Sequence, residues 1–418
     1  MEKGVEDSRL RRAGLGCLVG ALSGKAFYVA VTLRMVVEGP GLLALALAAA
    51  VPVRAELAVV SNDNKAVLVN GNIVIVQNPA PDTASVVDLS VFPPKLVAEI
   101  PNVPGSVIGP PLSVAVTPDE SLALVAGPMK VNPSDATKQI EDNKLTVIDL
   151  QAQPPKVIAT LETGKEPSGI SINRQGTVAL VANRADGSVS IFGLPGKPVT
   201  PAGKFVVGNA TSLVSDVVFT PDGKRALVTR DGDNLVTFLN VDGTNVTLAN
   251  RDVRTGLRPY GADVTRDGRA AVVANVGYGS GDNDTISVID LQAAPPRVVD
   301  TVSVGQTPEG IKISPDGTLC AVILGNGSNK AKDSPFYNDY GKVLLFHLDG
   351  TKLTLAGQAA IGHWPQGVAF SEDNRVLLVC NMMEKNLGVL QWDGTTLKDS
   401  GVRIPLSGGP VAIRTAEK

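Results

Sequence analysis

Histidine occurs only twice in the 418 residues, at His347 and His363, and cysteine three times. Two histidines cannot build a His-rich metal centre. No CxxC, CxxCH or GxSxG motif is present, so a zinc ribbon, a covalent haem and the nucleophile elbow of an α/β-hydrolase are excluded. Aromatic residues make up 4% of the chain, and no basic run interleaved with aromatics appears. Together with a net charge of −3 this argues against nucleic acid as a partner. Cys17 lies near the N-terminus, whereas Cys320 and Cys380 fall in apolar stretches that suit small buried thiols better than a disulfide.

Short β-branched phrases broken by turns fill most of the sequence. "GIKISPDGTLCAVILGN" (310–326) alternates Ile311 and Ile313 with polar neighbours, turns at Pro315-Asp316-Gly317, and resumes at Leu319. Asp-Gly tolerates positive φ, so the phrase predicts a β-hairpin. The strands are almost wholly apolar and require cover on both faces. Five variants recur: "SVAVTPDESLALVAG" (113–127), "GISINRQGTVALVAN" (169–183), "DVVFTPDGKRALVTR" (216–230), "GADVTRDGRAAVVAN" (261–275) and "GVAFSEDNRVLLVCN" (367–381). The turn markers fall at 119, 175, 222, 267, 316 and 373. That spacing is the period of a β-propeller blade. Third strands such as "LTVIDL" (145–150) and "ISVIDL" (286–291) follow, and then a fourth strand after a Pro-Pro or Asp-Gly turn.

Six hairpins leave unpaired material at both ends. "GGPVAIRTAEK" (408–418) has the character of an innermost strand without partners, and "ELAVVSNDNKAVLVNGNIVIV" (56–76) lacks one. The expected architecture is therefore an all-β, seven-bladed propeller of four-stranded antiparallel blades. Its ring is closed by Val411–Arg414 completing the N-terminal blade.

Residues 1–55 stand outside the repeat. They carry seven basic and four acidic residues, leaving 31 and 37 for residues 56–418. "RLRR" (9–12) precedes an apolar run, "GLLALALAAAVPVRA" (41–55), which ends on the small-residue pattern of a signal-peptidase site after Ala55. The expectation is an export leader, with Met35 as an alternative start, and a periplasmic or secreted, monomeric protein. An anchor at 27–37 is the weaker reading, because Arg34 and Glu38 interrupt it.

The "TPDG/SPDG … LVAN … VIDL" repeat resembles the YVTN-repeat and lactonase-like family of seven-bladed propellers, over residues 56–418. The resemblance implies a lactonase- or cycloisomerase-type activity on a small ligand. It carries no cofactor expectation: the Trp-docking repeat of quinoprotein dehydrogenases is missing, with only Trp364 and Trp392 present. In such a ring the loops leading into the first strands converge on a channel mouth. Here "GKEPSG" (164–169), "GLRPYG" (256–261), "GQTPEG" (305–310) and "GHWPQG" (362–367) would bring Glu166, Arg258, Tyr260, Glu309, His363 and Gln366 together. The second strands would add Asn183, Arg184, Arg230, Asp231, Asn275, Asn326 and Asn381. Arginine forks match carboxylate or phosphate, and Glu309, His363 or Arg258 could serve lactone opening. The asparagines could equally cap strands.

Three long segments, 127–143, 276–285 and 325–341, read as loops on the same face. They offer an alternative function as a protein-docking scaffold without catalysis. "GDND" (281–284) has calcium-type oxygens but not the spacing of a calcium loop. A redox-enzyme subunit is a third reading, one that needs a partner's cofactor.

Overall fold

The computed structural model describes residues 56–418, together with the strands Cys17–Leu18 and Ala30–Val31, which pair antiparallel. The chain divides into Met1–Ala55 and Glu56–Lys418. Apart from those two strands, the leader and the segment 27–37 lie outside the described residues, as do the cleavage after Ala55 and the Met35 start.

Residues 56–418 form seven four-stranded antiparallel sheets. Blade 1 consists of Leu57–Asp63, Thr83–Asp88 and Lys95–Pro101, with the C-terminal strand Gly409–Thr415 in its innermost position. Val60 faces Ile413 and Val59 faces Arg414 in that pairing. The innermost strands of blades 2 to 7 are Val114–Val116, Pro167–Ile172, Val214–Phe219, Pro259–Val264, Pro308–Ile313 and Pro365–Phe370. Among the described residues no helix is long and apolar enough to cross a membrane.

The repeated turn phrase works through hydrogen bonds. In "TPDG" the Thr220 hydroxyl donates to Asp222 Oδ1 at 2.6 Å, and that oxygen accepts the Lys224 N–H at 3.0 Å. Thr265 with Asp267, Ser314 with Asp316 and Ser371 with Asp373 repeat the first contact. A hydroxyl, a carboxylate and a left-handed glycine such as Gly223 (φ +68°) thus reverse the chain.

The apolar second strands are covered on both faces. In Leu319–Leu324 of blade 6, Cys320, Val322 and Leu324 pack against Ala270, Val272 and Ala274 of blade 5. Leu319, Ala321 and Ile323 pack against Val368, Leu377 and Val379 of blade 7. A strand of period two between two blades has no wet face, so apolar residues occupy every position. Cys320 and Cys380 are buried free thiols in these strands.

One expectation needs correcting. Residues 127–143 are not a loop: Leu122–Asn132 and Asp135–Asp149 run on as one long hairpin beyond the blade. Its polar composition hid the pairing, because an exposed ladder needs no apolar alternation. A separate hairpin, Ala66–Val69 with Asn72–Ile75, projects from blade 1. The tip of that hairpin, at Gly71, packs against Ala331 of the 325–341 segment.

Candidate functional site

Each innermost strand of blades 3 to 7 begins the same way. The residue before it is left-handed: Glu166 (φ 54°), Leu213 (48°), Arg258 (57°), Thr307 (57°) and Trp364 (47°). The register then slips within its first residues, between Pro167/Ile170, Val214/Asp216, Pro259/Ala262, Pro308/Ile311 and Pro365/Val368. A bulge re-aims a side chain, and non-glycine left-handed backbone persists only where its surroundings enforce it. The second strand residues thus re-aimed are Ser168, Ser215, Tyr260, Glu309 and Gln366.

These residues meet at one end of the channel. Gln366 Nε2 donates to Glu309 Oε2 at 3.2 Å, from blade 7 to blade 6. Arg184 donates to Glu166 at 3.1 Å, to Asp231 at 3.2 Å and to the Ser215 hydroxyl, and lies 5.4 Å over the Tyr260 ring. Arg258 forks onto Asp231 at 2.6 and 2.9 Å, donates to the Gly277 carbonyl at 3.2 Å, and lies 5.5 Å from the ring of Tyr278. Asp231, fully buried, therefore holds two guanidiniums.

Arg184 and Gln366 are buried, whereas Glu166, Arg258, Tyr260 and Glu309 keep part of their surface exposed. The group is crowded by protein. Crowding sets its acid–base state. Burial pushes Glu309 up from 4.5 to about 7, against the Gln366 hydrogen bond and the Arg258 charge. Burial also raises the Tyr260 phenol, so it stays protonated as a donor. Glu166 is raised by burial too, with Arg184 opposing. Two buried polar atoms in this ring, Ser168 Oγ and Gln366 Oε1, have no partner among the described residues.

The other candidates face elsewhere. Arg230 turns to Asp233 at 2.7 Å and to Thr237 at 3.3 Å. Asn275 donates to Thr285 and Ser287 of its own blade, and Asn183 to Ser188 and Ser190. Asn381 binds Asn386, and Asn326 the Tyr340 carbonyl. His363 sits on the rim between Glu384 (2.6 Å) and Asp339 (3.2 Å). Asp284 of "GDND" accepts the Thr307 N–H at 2.9 Å. The hub role of Asp231 escaped sequence reasoning; its one signal is "RDGD", where a 3-10 turn, Asp231–Asp233, follows the second strand.

Leu112, fully buried, reaches from the start of blade 2 to blade 5, where its Cδ1 lies 3.0 Å from the position a Cβ on Gly261 would take. A second charged region along the innermost strands and the residues that follow them contains Arg174, Asp216, Asp263, Lys312, Arg414 and Glu417.

No family profile and no curated protein matches the chain. Solved structures do. The "putative 6-phosphogluconolactonase" of Bacteroides fragilis superposes with a TM-score of 0.66 at 16% identity, over 86% of this chain and 98% of that one. The periplasmic gluconolactonase of Pseudomonas aeruginosa gives 0.64 at 18% identity, over 87% and 99%. Kuenenia stuttgartiensis hydrazine synthase gives 0.57 at 18%, over 74% and 90%. The likeness is one of fold: this chain is a seven-bladed propeller like the lactonase-type proteins, on an architecture that also serves other chemistry.

Proposed function

We propose that the protein hydrolyses sugar-derived lactones in the recess at the channel mouth, with Glu309 as general base. The observation that carries the proposal is Glu309 itself. Its carboxyl is held near neutrality, and the protonated Tyr260 and the guanidiniums of Arg258 and Arg184 belong to the same group of side chains. A base is most effective when its pKa lies near the working pH.

In this reading the Glu309 carboxylate takes a proton from water as the water oxygen bonds to the lactone carbonyl carbon. The carbonyl electron pair moves onto oxygen, and that oxyanion accepts from the Tyr260 hydroxyl and the exposed side of Arg258. On collapse the ring C–O bond breaks, and Glu309 returns its proton to the departing alkoxide. A hydroxy acid leaves and the carboxylate is restored. Asp231 and Glu166 position the arginines, and Gln366 orients Glu309. Supporting the reading, two fold neighbours carry lactonase names. The leader sequence supports export to the periplasm or beyond.

A panel of aldonolactones followed by acid release tests the activity. Glu309→Gln should lower kcat/KM by about 100-fold or more without lowering the melting temperature. Failure of the wild type to open any lactone would end this reading. The rival, a docking scaffold, is favoured by one observation: Val69, Ile73 and Val74 on the projecting hairpin are exposed. Pull-downs in which Val69→Ser with Ile73→Ser recover the same partners as wild type would remove it.

A further inference from the structure

The far end of the channel holds a cavity that the lactonase reading leaves unused. It is lined by Arg174, Asp216, Asp263, Arg414 and Glu417, and Lys312 and Arg266 line the adjoining hollow. Its carboxylates are already committed. Asp263 accepts from Lys312 Nζ at 3.0 Å and from the Ile313 N–H at 2.7 Å. Glu417 is bonded to the same Lys312. Asp216 accepts the Ala262 N–H at 3.0 Å.

The arginines feel these carboxylates only through space, Glu417 acting on both Arg174 and Arg414. Among the described residues none of the three forms an ion pair at 4.0 Å or less. Arg174 donates to the Arg266 carbonyl at 3.3 Å, and Arg266 to the Pro315 carbonyl at 3.3 Å. Arg414, on the strand that completes blade 1, is 9% exposed, and its Nη1 is buried with no acceptor. A buried guanidinium N–H without an acceptor is costly, and a fold retains one where something fills the gap. Two guanidinium forks on one small cavity match the planar, bidentate geometry of an oxyanion. Burial raises Asp216 from 3.8 to about 7, so near neutrality its carboxyl can supply a further proton donor.

We infer that this end of the channel is a binding site for a small oxyanion, an organic carboxylate or inorganic phosphate, held between Arg414 and Arg174. None of the mouth residues Glu166, Arg184, Arg258, Tyr260, Glu309 and Gln366 lines this cavity. Glu417, tethered on Lys312 beside the cavity, is the competing carboxylate that sets its affinity.

Thermal denaturation and calorimetric titration of the full chain, at constant ionic strength, test the inference with sodium acetate and sodium phosphate against sodium chloride. The expected result is a saturable stabilisation by acetate, phosphate or both that chloride does not give. Whichever responds identifies the source of the oxyanion. Arg174→Gln and Arg414→Gln should raise its dissociation constant at least about tenfold, while Arg258→Gln at the mouth leaves it unchanged. Arg414 belongs to the closing strand; should its variant fail to fold, Arg174→Gln, on a partly exposed turn residue, decides alone. Equal responses of wild type and Arg174→Gln, no saturable response to either oxyanion, or loss of the response in Arg258→Gln would each overturn the proposal.

Discussion

At the mouth of the channel two guanidiniums, Arg184 and Arg258, share one carboxylate, Asp231; at the floor one ammonium, Lys312, shares two carboxylates, Asp263 and Glu417. The mouth cluster takes Arg258 from the start of an innermost strand and Arg184 and Asp231 from just after second strands, whereas Asp263 and Lys312 at the floor lie on innermost strands. The two clusters differ in backbone. The mouth is built where strands begin, on left-handed residues and bulges that re-aim side chains. The floor is built where strands end in regular hairpin turns, and residues following the closing strand cover it, with Ala416 bridged to Val116. The mouth therefore keeps Arg258, Tyr260 and Glu309 partly exposed, while the floor buries Lys312 and Arg414. Strained starts re-aim side chains; tied ends hold the ring together.

The contrast breaks most visibly if the closing strand is removed. Deleting 409–418 strips the floor of Arg414 and Glu417 and blade 1 of buried Val411, Ala412 and Ile413. Each buried Val or Ile side chain contributes roughly 1.5–3 kcal/mol, and the freed edge of Leu57–Asp63 loses its ladder. A cooperative unfolding transition should be lost in calorimetry; an unchanged transition would show that the last strand does not hold the ring.

Next in size is Asp231→Ala. It leaves Arg184 buried with one carboxylate and Arg258 with none. Breaking a buried pair costs about 3–5 kcal/mol, and denaturant titration should find a loss of that order, with lactone turnover lost as well. Lys312→Met at the floor makes the comparison sharper. It should destabilise while turnover per folded molecule stays constant.

A smaller effect separates the two ends by pH. Glu309 at the mouth and Asp216 at the floor both have folded pKa values near 7, raised by burial above ordinary unfolded ones. The folded state therefore binds more protons between about 4 and 7. The stability these groups contribute is complete below the unfolded carboxyl range and is lost as pH rises through 7. Wild type should lose melting temperature across that window. Glu309→Gln and Asp216→Asn should each flatten part of the slope, and only Glu309→Gln should abolish turnover.

The smallest effect lies on the rim. Burial disfavours the His363 cation, but hydrogen bonds to Glu384 and Asp339 outweigh it and raise its pKa. That clamp is present below the unfolded value near 6.5 and is lost as pH rises through the raised folded value. His363 is partly exposed, so His363→Gln should cost no more than about 1 kcal/mol at pH 6 and nothing near pH 9. An equal cost at both pH values would deny the clamp.

The mouth was half legible in the sequence. Glu166 and Arg258 sit before, and Tyr260, Glu309 and Gln366 after, the proline of "KEPSG", "LRPYG", "TPEG" and "WPQG", and the fold brings them to one end of the channel. Arg230 sits at the same kind of position as Asn183 and Asn275, and like them it turns to its own third strand. A linear reading has no means of separating it from Arg184, one residue later in its own repeat. Asp231 looked like one exit residue among seven, because two arginines 47 and 27 residues away meet it only in space. The floor was illegible: Arg174, Asp263, Lys312 and Arg414 sit in or beside apolar strands at spacings that carry no motif.

Local chemistry alone determined the hairpins, since Thr or Ser, Pro, Asp and Gly reverse the chain through bonds spanning a few residues, and it determined that the strands would be sandwiched, since nearly every position is apolar. The packing of the blades decided which polar groups meet. Innermost strands far apart in the chain are forced side by side around a single axis, close enough that a Cβ on Gly310 would run into the Gln366 carbonyl. The bulges at their starts then choose which side chain enters the channel.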